Sequence, residues 1–402
     1  MKQSETGFPV RFFVFYVVYY SFQAIYNSFT NLYLKSIGFN QAQIGMAVSI
    51  ATATLLLIQP LWGLASDRAR YKNTVFKILL LSAAAAVMLY PLAQQYWGLP
   101  NASPYVKYWL LLGVTAIFSA VFSPISPLQD TITLEHLEGK RWDFGQIRLG
   151  GTLGYAFTVL LTGWLLHDNY SVIFPVIGMG LLVCFGLSFL LPKVSGHRHG
   201  AQRAPIRKIF ANEAMLCLIF FNLVYSLCSS LYYNFYPIYF SGLPGVTSTH
   251  IGALMFASAI AEVPFLFFAS KFVGRFGIPK MLVASGLITS VRWLLLFLLH
   301  NPIAIIGTNL LHGLGFVVVN YCLAVYINTS VPRELRATGQ TMMAMLAAIF
   351  SRLIFGYLGG LAADWLGAGR LMLFSAVVMA AGTVAFALWF RSINRKAAAI
   401  TV

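Results

Sequence analysis

Charged side chains are scarce in this chain: 9% of 402 residues, with only 11 acids. A soluble globular domain carries roughly 25%, so that class is excluded. Disorder is excluded as well, because it needs low hydrophobicity and 59% of these residues are hydrophobic. Cysteine is sparse too. Cys184, Cys217, Cys228 and Cys322 are scattered through apolar segments without metal-ligand spacing or a paired framework. They read as small buried hydrophobes. The chain lacks a Gly-rich phosphate loop of the P-loop kind, so direct ATP drive has no support. It also lacks a recognisable nucleophile–base or metal constellation, so no enzyme and no cofactor are implied. Glu135-His136-Leu137-Glu138 and His197-Arg198-His199 read as solvated polar runs, not as metal sites.

What the chain has in abundance is apolar length. Stretches of roughly 18–25 residues recur twelve times, each long enough to cross about 30 Å of hydrocarbon. They cover residues 10–34, 42–64, 74–93, 106–129, 145–166, 171–191, 214–240, 250–270, 280–299, 303–328, 337–362 and 371–390. The first runs too far for a signal-peptide core.

The formal charge of +16 does not point to nucleic acid, since the basic residues form no single patch. They recur in short clusters between apolar runs. Arg68, Arg70, Lys72, Lys77, Lys140, Arg141, Lys193, Lys271, Arg275 and Lys280 fall on one side, with both ends of the chain. The opposite loops hold Lys35, Lys107 and Arg370. By the positive-inside rule both termini are cytoplasmic and the number of spans is even.

Pro192–Asn212 is the longest strongly polar stretch, with Arg198, His199, Arg203, Arg207 and Lys208 among the breakers Gly196, Gly200 and Pro205. It divides the chain into a six-helix bundle at 1–191, a linker at 192–212 and a second bundle at 213–402. Basic loops after the second and eighth spans, Gly63 to Lys72 and Ser270 to Lys280, occupy the same place in each half. Internal symmetry of this kind marks a duplicated transporter fold.

Five ionisable residues sit in or at the edge of apolar runs: Asp130, Arg148, Glu262, Arg292 and His312. Each Asp or Arg at a bilayer centre costs roughly 2.5–3.5 kcal/mol, so together they would cost on the order of 10 kcal/mol if unpaired. They must be paired or line a wet cavity. Arg352 is a further cation in the eleventh stretch, either an anion contact or a snorkelling side chain. At 3.6 residues per turn, Tyr16, Tyr19, Tyr20, Gln23, Tyr26 and Asn27 form a polar aromatic stripe on the first span. The seventh repeats it with Asn222, Tyr225, Ser226, Ser229, Tyr232, Tyr233 and Tyr236. Matched stripes on corresponding helices suggest the walls of a solute pathway. Asn309, His312, Phe316 and Asn320 share one face of the tenth. Glu262 lies near the middle of its span. An apolar surround favours the neutral acid and a nearby cation favours the carboxylate, so a group balanced between them can load and release a proton. Glu262 is therefore the expected proton-linked acid, whereas Asp130 is expected to be pinned by Arg148.

Gly63-x-x-x-Asp67-Arg68-x-x-x-Lys72 resembles the loop signature of the major facilitator superfamily, with Arg70 in place of its second glycine. The resemblance gives Gly63, Asp67 and Arg68 a gating role. The segments Phe122 to Asp130 and Phe144 to Tyr155 resemble the lactose permease and phenylpropionate permease group. So do Ala261-Glu262-Val263, Ser290 to Trp293 and Leu311-His312-Gly313. This resemblance implies an all-α membrane protein of twelve helices in two pseudo-symmetric six-helix bundles around a central cavity. It implies substrate contacts at Asp130, Arg148, Thr152 and Tyr155, and coupling at Glu262, Arg292 and His312. Gly315 and Asn309 stand where the sugar permease has a carboxylate and a lysine, so the likeness leans towards the phenylpropionate type.

The expected function is a secondary carrier, a functional monomer in a bacterial inner membrane, that moves a small organic solute with protons. Aromatic or other carboxylates suit Arg148 and Arg292 and the tyrosine walls. Tyr20, Gln23, Tyr26, Asn27, Tyr232 and Tyr233 complete the expected solute contacts. A sugar or nucleoside symporter is the alternative, and a sensor that no longer transports is a remote one.

Overall fold

The computed structural model describes residues 7–97, 101, 103–138, 140–195, 213–330 and 336–400. The expected linker therefore lies outside the described residues from position 196 onward, together with its basic cluster. Helices account for nearly everything described. They are α1 Val10–Ser36, α2 Gln41–Arg68, α3 Lys72–Val87, α4 Leu89–Trp97, α5 Pro104–Phe122, α6 Ile125–Leu137, α7 Phe144–Leu166 and α8 Ile173–Ser188. After the undescribed stretch come α9 Glu213–Ser241, α10 Ser248–Phe276, α11 Ile278–Leu298, α12 Pro302–Thr308, α13 His312–Ser330 and α14 Arg336–Ala348. A π-helical turn, Ile349–Ile354, then leads into α15 Phe355–Leu366, and α16 Ala368–Ile400 follows.

Among the described residues ten helical stretches are long and apolar enough to span a bilayer, and α10, broken near Pro264, makes an eleventh if its two parts count as one. The sequence suggested twelve. The difference is α1. Its 27 residues reach about 40 Å at the helical rise, but its tyrosines and amides, Tyr16, Tyr19, Tyr20, Gln23, Tyr26 and Asn27, dilute the apolar character. That polarity is turned inward: Tyr16 and Tyr19 are buried to 1% or less.

Exposure is inverted relative to a water-soluble protein. Leu57, Trp164, Trp365 and Leu388 stand in the open, while Arg292, His312, Asn309 and Gln129 are buried. Lipid makes this arrangement favourable, because tails solvate leucine and the protein interior must satisfy polar groups. All four cysteines are buried thiols.

Contacts divide the chain into two compact units. The first comprises Met1–Phe39, Met46–Gly200 and Thr247–Phe256. In it α1 packs along α7 and α8, and α3 along α5 and α8. Small residues let the α1 and α7 backbones touch: a β-carbon at Gly154 would run into the Val17 carbonyl. Just past α7, Asp168 adopts a left-handed conformation (φ 63°). Its carboxylate accepts the Ser248 N–H at 2.8 Å, capping the start of α10.

The second unit comprises Asn40–Gly45, Ala201–Val246 and Ala257–Val402. Its centre is α16 packed against α9 and α11, with α13 on the other side of α11. Here Asp364 near the end of α15 accepts the N–H groups of Gln41 and Ala42 at 3.0 and 2.8 Å, capping the start of α2. An acid therefore caps a helix N-terminus in each unit, where the helix dipole also favours negative charge.

Candidate functional site

The densest polar cluster lies in the second unit. Glu262 on α10, Arg292 on α11, His312 at the start of α13 and Tyr233 on α9 converge there. Asn309, in the short turn between α12 and α13, joins them. Arg292 and His312 are 2% and 4% exposed, and Asn309 is fully enclosed. A guanidinium can only donate, so its contact with His312 Nδ1 at 3.2 Å makes that nitrogen an acceptor. In the neutral ring the proton then sits on Nε2. Nε2 is 2.7 Å from the Tyr233 hydroxyl and 3.6 Å from Glu262 Oε1. The imidazole thus stands between a buried cation and a carboxylate that is half-buried, and it can pass their influence from one to the other.

The sequence marks Asn309 as a neighbour of His312 on one helical face and as a departure from the sugar permease. It is in fact the hub. Its side-chain oxygen accepts from the Tyr232 hydroxyl at 2.7 Å, from the Ser258 hydroxyl at 2.9 Å and from the Arg292 guanidinium. The guanidinium carbon also lies 4.4 Å from the Tyr232 ring centroid, a cation–π contact. Arg292 is therefore turned inward and already engaged. The adjacent tyrosines, both expected to meet solute, diverge because a helix turns by about 100° per residue. Tyr232 packs inward, whereas Tyr233 is half-buried beside open space.

That space is a cavity of about 360 Å³, within the range of small-molecule sites. Asn222, Tyr225, Ser226, Ser229 and Tyr233 of the seventh-span stripe face it. Phe316 and Asn320 from α13, Gln340 from α14, and Ser351 and Arg352 from the π turn close the other walls. Sequence reasoning caught the α9 face but not the contribution of α14.

The first unit holds its own cluster. Asp143 and Gln146 form a capping box that starts α7. Further along that helix, Arg148 folds back over the Tyr20 ring, 4.0 Å from its centroid. Gly151 makes room for it, because a β-carbon there would press on both Arg148 and Tyr20. The expected pin between Asp130 and Arg148 is not the contact found. Asp130 instead accepts the Tyr16 hydroxyl at 2.6 Å, and among the described residues no ion pair within 4.0 Å joins it to Arg148. The ring of Tyr20, stacked on Tyr16, stands beside both groups, and its hydroxyl bonds Ser126 at 2.8 Å. Tyr155 bonds Ser28 at 3.1 Å. Tyr26 packs on Phe118 and Phe122. Gln23 and Thr152 are half-buried and Asn27 is exposed.

The signature loop organises around its last matching residue, Lys72, to which the resemblance gave no role of its own. Lys72 is 3% exposed. Its ammonium reaches Asp67 at 3.5 Å and also bonds Glu135, while Gly63 and Arg68 are exposed. Glu135 and His136, expected in a solvated loop, belong to the last turn of α6. The neighbouring Asn73 clamps the chain after α8, donating to the Pro192 carbonyl at 3.0 Å and accepting the Val194 N–H at 2.8 Å.

Lipid-facing helices with buried ions and a polar cavity define a polytopic membrane carrier. Residues 10–374 match the profile of the MFS_1 like family, and the chain belongs to that family. It is 28% identical over 364 residues to the maltose permease of Geobacillus stearothermophilus, covering 88% of this chain and 87% of that one. It is 26% identical over 290 residues to the Escherichia coli protein named "Probable 3-phenylpropionic acid transporter", covering 69% and 71%. In fold it is similar to the solved nucleoside transporter NupG, with a TM-score of 0.77 at 18% identity over 95% and 98% of the two chains.

Proposed function

We propose that this chain is a proton-coupled symporter that moves a small organic solute by alternating access between two six-helix bundles, residues 1–191 and 213–402. The observation that carries the reading is the buried chain Arg292–His312–Glu262, which meets the cavity through Tyr233. Glu262 is the group that takes up and releases the proton. His312, fixed with its proton on Nε2, presents that N–H to Tyr233 and to Glu262. Solute lying against Tyr233 changes the hydrogen bond that Tyr233 makes to His312, and so changes the balance between acid and carboxylate at Glu262. Loading and cargo binding are linked through one ring and one hydroxyl. In the first unit, Asp130 and Arg148, with Tyr20, Gln23, Tyr26, Asn27, Thr152 and Tyr155, supply further solute contacts. Gly63, Asp67 and Arg68 act at the cytoplasmic gate, with Lys72 as the charge they answer to. The positive-inside pattern puts both termini in the cytoplasm, in a bacterial plasma membrane, and the working unit is a monomer.

The cargo favoured is an aromatic or other carboxylate, which suits a cavity with aromatic walls and one cation. A second reading, a sugar or nucleoside, draws on the amides and hydroxyls of the same cavity and on the likeness to a maltose permease. Flux into proteoliposomes, screened over labelled carboxylates, sugars and nucleosides with and without an inward proton gradient, tests the proposal. Gradient-driven accumulation is expected. Glu262→Gln abolishes uphill accumulation while sparing exchange, and uphill transport retained in that variant would refute the assignment.

A further inference from the structure

Four arginines lie within the apolar stretches; Arg11, at the very start of the first, donates to the Leu190 carbonyl, which leaves three as candidates to meet a solute. Arg292 is buried and held by Asn309, His312 and the Tyr232 ring. Arg148 lies on the face of Tyr20. Arg352 is exposed within its unit and lines the 360 Å³ cavity. Among the described residues it brings the only formal charge to that lining, which includes no acid.

The backbone around it is unusual as well. Ile349–Ile354 is a π-helical turn, a geometry that is rare and occurs often at functional sites. It widens the helix, and the adjacent Ser351 and Arg352 both reach the cavity. Facing walls carry the aromatic rings of Tyr225, Tyr233 and Phe316. A guanidinium in a small cavity whose described lining holds no carboxylate attracts an anion and matches a planar carboxylate with two parallel N–H groups. The rings accept the flat body of the same molecule.

We infer that Arg352 is the specificity-determining residue of this carrier, selecting solutes that pair one carboxylate with a ring. The inference rests on the symport reading but goes further. It assigns anion recognition to a residue that neither the signature loop nor the permease resemblance singles out, and it removes that role from Arg148 and Arg292. Tyr233 lies on the same cavity, so a carboxylate solute held by Arg352 comes to rest beside the hydroxyl that contacts His312.

The test uses the full chain in proteoliposomes with an imposed inward proton gradient. Uptake is compared within matched acid and neutral pairs: 3-phenylpropionate with 3-phenylpropanol, glucuronate with glucose, and methyl glucuronide with methyl glucoside. The wild type is expected to favour the acid in at least one pair by about tenfold or more. Arg352→Gln lowers that ratio about tenfold, and Arg352→Lys, which keeps charge but not the fork, restores part of it. Melting in detergent confirms that each variant is folded. A wild type that favours the neutral member throughout, or an Arg352→Gln ratio equal to wild type, overturns the inference and leaves symport standing. Flux that ignores the proton gradient for every solute overturns the symport reading instead, whatever the acid-to-neutral ratio.

Discussion

Removing the Asn309 side chain by Asn309→Ala is the sharpest test of how the buried cluster is held together. One oxygen disappears, and three donors lose their acceptor at once: the hydroxyls of Tyr232 and Ser258 and the Arg292 guanidinium. Each buried neutral donor left unsatisfied costs about 1–3 kcal/mol, and a charged one more. The three costs overlap, because the groups can relax toward one another. The comparison with breaking a buried ionic contact therefore sets the scale at about 3–5 kcal/mol. That is a large share of the ~5–15 kcal/mol that holds a domain folded. Asn309→Asp keeps an acceptor for all three donors and offers Arg292 a carboxylate, so its stability stays within about 1 kcal/mol of wild type. Unfolding in mild detergent by added dodecyl sulfate, followed by near-ultraviolet circular dichroism, measures both. The reasoning is refuted if Asn309→Ala unfolds within about 1 kcal/mol of wild type, or if Asp destabilises as much as Ala.

Two further outcomes follow from the first unit. Gly154→Leu forces α1 and α7 apart and lowers stability by about 1–3 kcal/mol or more, whereas Gly186→Leu, on an open face of α8, stays within about 0.5 kcal/mol; equal melting shifts would show that the close approach at Val17 does not matter. Tyr16→Phe removes a hydrogen bond to the Asp130 carboxyl group and costs about 1.5–3 kcal/mol, read by the same unfolding assay, with an unchanged midpoint counting against the contact.

Hydrophobic runs are local signals, so the spans were legible to within a few residues. The first stretch, 10–34, is α1, and it is less apolar than the rest because of tyrosines that it largely buries. The cluster of Glu262, Arg292 and His312 was legible for a related reason: an acid, an arginine and a histidine in apolar surroundings have few explanations. Its hub was not. Asn309 owes its importance to Tyr232, 77 positions away, and to Ser258, 51 away. The spacing of Ser258 and Glu262, one turn apart on α10, was the available hint. The burial of Lys72 and its pairing were missed likewise, because its partner Glu135 is distant in sequence and a lysine in a basic loop is usually just solvated. Asp130 shows the converse error. An arginine on the next span is the natural partner to guess, yet a tyrosine on α1 reaches it instead.

The clamp at Asn73 bears on how freely the chain beyond it can change. Together with the Lys72 N–H bond to the Val194 carbonyl at 2.9 Å and the bridge between Tyr71 and Ser195, it stitches the chain leaving α8 to the head of α3. The head of α3 and the end of α8 are thus joined by backbone as well as by side chains. The last described residues before position 196 are therefore pinned to α3 and do not hang from the end of α8 alone. A substitution at Asn73 would then be felt at the far end of α8, 119 to 121 positions along the chain, as a loosened seam and not as a local change.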